Sequence, residues 1–134
     1  PDPLVLHVHC GTPSTLELYE DDGISEPVEE SLITRFNYYE FKSGASLLGV
    51  PQPQEEGMKQ YRPPRSHCLA VFHGFTKPPE KVVFNYRKLR QGWPEGENRE
   101  APYHGWNWNP DTTELCVGFR CSSKPIVLEI YYSR

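Results

Sequence analysis

Ser14-Thr15-Leu16-Glu17-Leu18-Tyr19-Glu20-Asp21-Asp22-Gly23 is an alternating run that stops in an acidic corner. Leu16 and Leu18 alternate with Glu17 and Tyr19, the period-two signature of a strand with one face in a core. Asp21 and Asp22 can hydrogen-bond their own backbone two residues on, and Gly23 takes a positive φ without a Cβ clash. Glu20, Asp21, Asp22 and Gly23 therefore predict a tight structural turn. Three consecutive carboxylates repel one another. They must be solvated, held by backbone N–H groups or basic side chains, or bound to a cation, and in the last case Asp21 and Asp22 are the candidate Ca²⁺ ligands.

The same alternation recurs on both sides of this stretch. Leu4, Leu6, Val8 and Cys10 oppose Val5, His7 and His9, and Gly11-Thr12-Pro13 predicts a hairpin from this strand into the next. Residues 31–41 place Leu32, Thr34, Phe36 and Tyr38 on one side, and 45–50 form a short apolar strand. Residues 51–64 have no period and predict a loop. Residues 65–73 resume the alternation, and 81–86 form a strand that reverses at Asn85-Tyr86-Arg87-Lys88 into a short return at Leu89. A second long loop spans 91–102. Strands follow at 103–108, 114–121 and 126–132, with a turn at Asn109-Pro110-Asp111-Thr112. Nine or ten short strands without a helix predict an all-β antiparallel sandwich.

Composition agrees with that class. The chain has 134 residues, 14 prolines, 10 glycines and 13% aromatics, which suits short strands joined by loops in one domain over 1–134. A net charge of -4 without a basic stripe argues against nucleic acid. No apolar run approaches the roughly 18 residues of a membrane span. Pro1-Asp2-Pro3 shows neither a start Met nor a signal peptide, so the chain reads as a fragment of a longer multidomain protein. A secreted, periplasmic or lumenal destination would be set by the missing N-terminus of that parent.

Reactive side chains are sparse. His7 and His9 share a strand face and could hold a metal with a third ligand from elsewhere, although exposed histidines on an edge strand are the commoner case. Cys10, Cys68, Cys116 and Cys121 lack C-x-x-C spacing. Cys10 and Cys121 fall on core faces where a free thiol acts as a small apolar group, and a bridge between different strands stays open. No serine elbow or phosphate loop is present. Trp93, Tyr103, Trp106 and Trp108 lie close together beside Asn107. Rings with amide neighbours are what a carbohydrate site requires, because sugar C–H faces pack on aromatics while hydroxyls need polar partners. Packing into the core or against a neighbouring domain is the more ordinary use of such rings.

Two pieces carry a family resemblance. Leu18-Tyr19-Glu20-Asp21-Asp22-Gly23 resembles a block of the distal C-terminal β-domain of glycoside hydrolase family 31, the α-glucosidase and α-xylosidase family. Gly57-Met58, Arg65 and Pro79-Glu80-Lys81-Val82-Val83-Phe84-Asn85 are similar to that domain's later motifs, in the same order. The family usually has Gly after that Asn, where this chain has Tyr86. The resemblance implies a non-catalytic accessory domain, because the family's catalytic aspartates sit on a (β/α)₈ barrel well upstream. Asp21 and Asp22 would not replace them, since adjacent strand-end carboxylates point to opposite faces. The implied partners are the catalytic barrel and neighbouring β-domain of the same chain, and an oligosaccharide. A free-standing carbohydrate-binding module is the alternative expectation, and a calcium-stabilised interaction domain the third.

Overall fold

The computed structural model describes residues 4–21, 23, 30–54, 56–64, 67–92, 104–121 and 124–133. Eleven strands are present among them and no helix: β1 (Leu4–His9), β2 (Ser14–Asp21), β3 (Glu30–Phe41), β4 (Gly44–Pro51), β5 (Lys59–Gln60), β6 (His67–His73), β7 (Pro79–Phe84), β8 (Arg87–Lys88), β9 (Gly105–Asn109), β10 (Glu114–Arg120) and β11 (Ile126–Tyr132). They form a four-stranded sheet in the order β1-β6-β10-β9 and a larger sheet in the order β2-β3-β4-β11-β7-β8, with β5 beside β3. The all-β sandwich expected from the alternation is the fold.

Inward side chains of the two sheets meet in one core. Leu6, Val8, Ala70, Phe72, Leu115, Val117 and Phe119 come from the smaller sheet, and Phe36, Tyr38, Leu47, Val82, Leu128 and Ile130 from the larger. Phe72 and Phe119 are wholly buried, and each such ring stabilises the fold by roughly 1.5–3 kcal/mol relative to exposure. On β3 the predicted face, Leu32, Thr34, Phe36 and Tyr38, is buried at every position.

Pairing departs from the sequence expectation at the start of the chain. β1 and β2 do not form a hairpin: β1 runs parallel to β6, from Leu4 opposite Cys68 to His9 opposite His73, while β2 is antiparallel to β3. Gly11, at φ 113°, instead carries the chain from one sheet to the other, and its N–H donates to Glu40 Oε1 of the second sheet at 2.8 Å. Alternation fixes which face a strand buries, and says nothing about its neighbour.

The same rearrangement explains Leu16. It points inward opposite Phe36, yet is 53% exposed, because β1 and β2 are both edge strands and leave the sandwich open between them. A groove of about 270 Å³ runs there, lined by Leu6, Val8, Leu16, Phe36, Tyr38 and Leu47 among others. Within the predicted 51–64 loop, β5 adds a short parallel rung to β3.

Of the two states left open for Cys121, a free core thiol or a bridge between strands, the structure has the bridge. Cys121 is bonded to Cys68 across 53 residues of chain, and both residues are almost fully buried. Cys10 and Cys116 are free and partly buried.

Candidate functional site

The acidic corner secures itself through backbone. Asp21, the last residue of β2, accepts the N–H of Gly23 on Oδ1 at 2.8 Å, and Gly23 sits at φ 69°. This is the Asx geometry predicted from the residue types. Asp22 lies outside the described residues. Among those described, no three His, Cys, Asp or Glu side chains converge on a point where an ion would sit.

The aromatic cluster is divided between core and surface. Trp93 and Tyr103 lie outside the described residues. Trp106 is 3% exposed and belongs to the core, so its ring faces are occupied by protein. Trp108 packs against the same core, and its indole N–H donates to the carbonyl of Phe75 at 2.9 Å. Asn107 alternates to the exposed side. An open depression of about 460 Å³ lies here, lined by Asn107, Trp108, Asn109, Thr112 and Glu114 among others. Of the members of the predicted constellation among the described residues, Asn107 and Trp108 reach it and Trp106 does not.

The region joining Cys10, Tyr38 and Glu40 has a catalytic look and an inert chemistry. Tyr38 donates its hydroxyl hydrogen to Glu40 Oε1 at 2.9 Å, the same oxygen that accepts from Gly11. Burial pushes the Cys10 thiol up from its ordinary range, with the charge of Glu40 adding to the effect and the Tyr38 hydrogen bond opposing it. Burial also pushes the Tyr38 phenol up. Both groups are therefore held in their protonated forms, and a protonated thiol is a poor nucleophile.

The histidines were half legible. His7 and His9 project from one face of β1 as predicted. The third member is His73 on β6, whose Nε2 lies 2.9 Å from Nδ1 of His7 and whose ring centroid is 5.0 Å from that of His9. Nothing local to His73 signals this, because the parallel β1–β6 pairing that unites the three spans more than sixty residues. On the same sheet His67 and His104 meet edge to face at 6.1 Å. Burial lowers the affinity of His104 for a proton, with the positive charge of Arg120 and the nearby His67 ring adding to the effect.

The residue whose role sequence reasoning missed is Asn85. Its backbone N–H donates to the carbonyl of Val127 at 2.8 Å, and its side-chain Oδ1 accepts the N–H of Val127, also at 2.8 Å. One residue thereby extends the β7–β11 ladder past the strand end. Asn85 and Tyr86 turn the chain with φ of 46° and 68°, the doubly positive pair of a tight hairpin turn. Tyr86 thus keeps the backbone that a glycine would favour.

No family model matches the chain, and no curated protein matches it by sequence. Solved structures do match. The GH31 dextranase of Flavobacterium johnsoniae, complexed with glucose, superposes with a TM-score of 0.69 at 22% identity over 90% of this chain and 15% of that one. A mutant of that dextranase complexed with isomaltotriose gives 0.69 at 20% identity with the same coverage. The α-1,4-glucan lyase of Gracilariopsis lemaneiformis, in a covalent intermediate complex with 5-fluoro-idosyl fluoride, gives 0.66 at 13% identity, over 96% of this chain and 13% of that one. In fold, this chain is the counterpart of a segment that makes up about one seventh of those much longer proteins.

Proposed function

We propose that this chain is the non-catalytic accessory β-domain of a glycoside hydrolase of family 31, acting on α-glycosidic bonds, and that it braces the catalytic barrel of its parent. The observation that carries this is the superposition of 90% of the chain on 15% of a GH31 dextranase. It agrees with an independent resemblance in the residues, since Leu18 to Gly23 and Pro79 to Asn85 match the family's motifs in order. The chemistry of the described residues supports it. Asp21 is committed to its own turn, and Cys10 and Tyr38 are held protonated.

A direct test is to assay the purified 134-residue chain for hydrolysis of isomaltotriose and of p-nitrophenyl α-glucoside. No turnover above buffer is expected, and release of glucose would overturn the proposal.

The depression beside Trp108 favours a second reading, a module that grips a glycan through Asn107, Asn109, Glu114 and the edge of Trp108. Saturable quenching of tryptophan fluorescence by α-linked oligosaccharides would support it. The burial of Trp106 and the engaged N–H of Trp108 lead us to expect no quenching.

A further inference from the structure

β1 is an edge strand, hydrogen-bonded to β6 on one side and to no strand on the other among the described residues. His7 and His9 stand two residues apart on its outer face, and the parallel register sets His9 directly opposite His73 of β6. The His7 and His73 rings are within 19° of parallel, with centroids 5.1 Å apart and Nδ1 of one 2.9 Å from Nε2 of the other. Rings so placed lie nearly end to end and share a single hydrogen between two nitrogens. The His9 ring lies within 21° of parallel to that of His73 at 5.0 Å. These side chains are at the surface.

We propose that His7, His73 and His9 form a binding site for a late first-row divalent cation of the Zn²⁺, Ni²⁺ or Cu²⁺ type. This goes beyond the accessory-domain reading and does not depend on it. Neutral imidazole nitrogen is the donor such ions favour, whereas Ca²⁺ and Mg²⁺ favour oxygen. Two nitrogens each about 2.0–2.1 Å from a zinc ion lie roughly 2.9–3.4 Å apart at bond angles of 90–110°. The His7 and His73 nitrogens already have that spacing.

In the arrangement described the three rings do not yet enclose an ion. Binding requires the surface rings to turn about their Cβ–Cγ bonds, so that lone pairs now aimed along the N···N axis converge beside it. The cation then takes the place of the shared hydrogen, which passes through water to the far nitrogen of the ring that carried it, so that both imidazoles bind as neutral donors. His7 and His73 are the first pair of ligands and His9 is the third. Glu114 of β10, register neighbour of His73 on its other side, adds negative charge nearby. Because the ligands come from β1 and β6, the ion ties the edge strand to its neighbour, and an ion that binds only the folded chain stabilises it.

The test uses the 134-residue chain with ZnCl₂ as the probe. Calorimetric titration should show saturable 1:1 binding, with a zinc-dependent rise in melting temperature that CaCl₂ and MgCl₂ do not produce. His7→Asn and His73→Asn should each weaken binding about tenfold or more, whereas His67→Asn and Cys116→Ser, on the same sheet, should leave it unchanged. In the unaltered chain, zinc should move the imidazole ¹⁵N resonances of His7, His73 and His9 before those of His67 and His104. Absence of saturable binding up to millimolar zinc would overturn the proposal. So would unchanged affinity in both His7→Asn and His73→Asn, or movement of the His67 and His104 resonances alone.

Discussion

Residues 18–23 and 79–85 are alike in length and carry the same family resemblance, yet they are tied into the molecule in opposite ways. The first ends in a bond between neighbours, Asp21 to Gly23, two residues apart. The second ends in Asn85, which is bonded on two sides to Val127, 42 residues away. A local hydrogen bond forms almost as readily in a short unfolded segment, so it adds little to the difference between folded and unfolded states. A distant one exists only when the sandwich is assembled, so its whole net contribution counts toward the difference between folded and unfolded states. Both blocks lie mostly in strands of the larger sheet, and the contrast teaches that the closing bond of a recognisable block can be local or distant whatever its sequence signal.

The largest effect should come from the longest link. Replacing both Cys68 and Cys121 with Ala removes a buried bridge spanning 53 residues. By loop-closure entropy that bridge is worth about 4 kcal/mol, and the melting temperature should fall by roughly 10 °C or more. A fall no larger than that of a surface substitution would break the comparison.

Next, Asn85→Ala should cost about 2 kcal/mol in urea unfolding, about 1 because the N–H of Val127 loses its acceptor and the rest because alanine tolerates φ 46° less well than asparagine. Asp21→Ala should cost under about 1 kcal/mol. Equal losses would mean that separation along the chain is not what decides.

The smallest effect should come from Tyr86, which is 82% exposed and adopts φ 68°. Removing the Cβ strain of that left-handed backbone gains about 1 kcal/mol, part of which the greater freedom of unfolded glycine offsets. Tyr86→Gly should therefore raise stability by about 0.5 kcal/mol in the same assay. A loss would mean that the tyrosine ring contributes more than its exposure implies.

Faces were legible and partners were not. Residues 126–132 carry an apolar stripe at Leu128, Ile130 and Tyr132, and β11 has those bounds, with Leu128 and Ile130 fully buried. Leu16 shows the limit of the same argument. Its inward direction followed from period two, but its exposure depends on whether the opposite sheet reaches over it, and β1 does not. His7 and His9 were visible as candidate ligands because two residues along a strand return to one face. His73 was not, because only the parallel pairing of β1 with β6 brings it beside them. The rings of the predicted sugar platform that lie among the described residues show the same limit. Trp106 and Trp108 share a face, and that face is the one the larger sheet covers.

The chain's own residues settled its class and its punctuation: strands throughout, apolar faces at period two, a self-capping turn at Asp21 and Gly23. These are short-range properties, set by side-chain alternation and by the backbone freedom of single residues. Which strand lies beside which, which cysteine finds which, and whether an inward leucine is covered were decided only in three dimensions. Those outcomes depend on groups separated by tens of residues, whose encounter is governed by the packing of whole sheets rather than by any local preference.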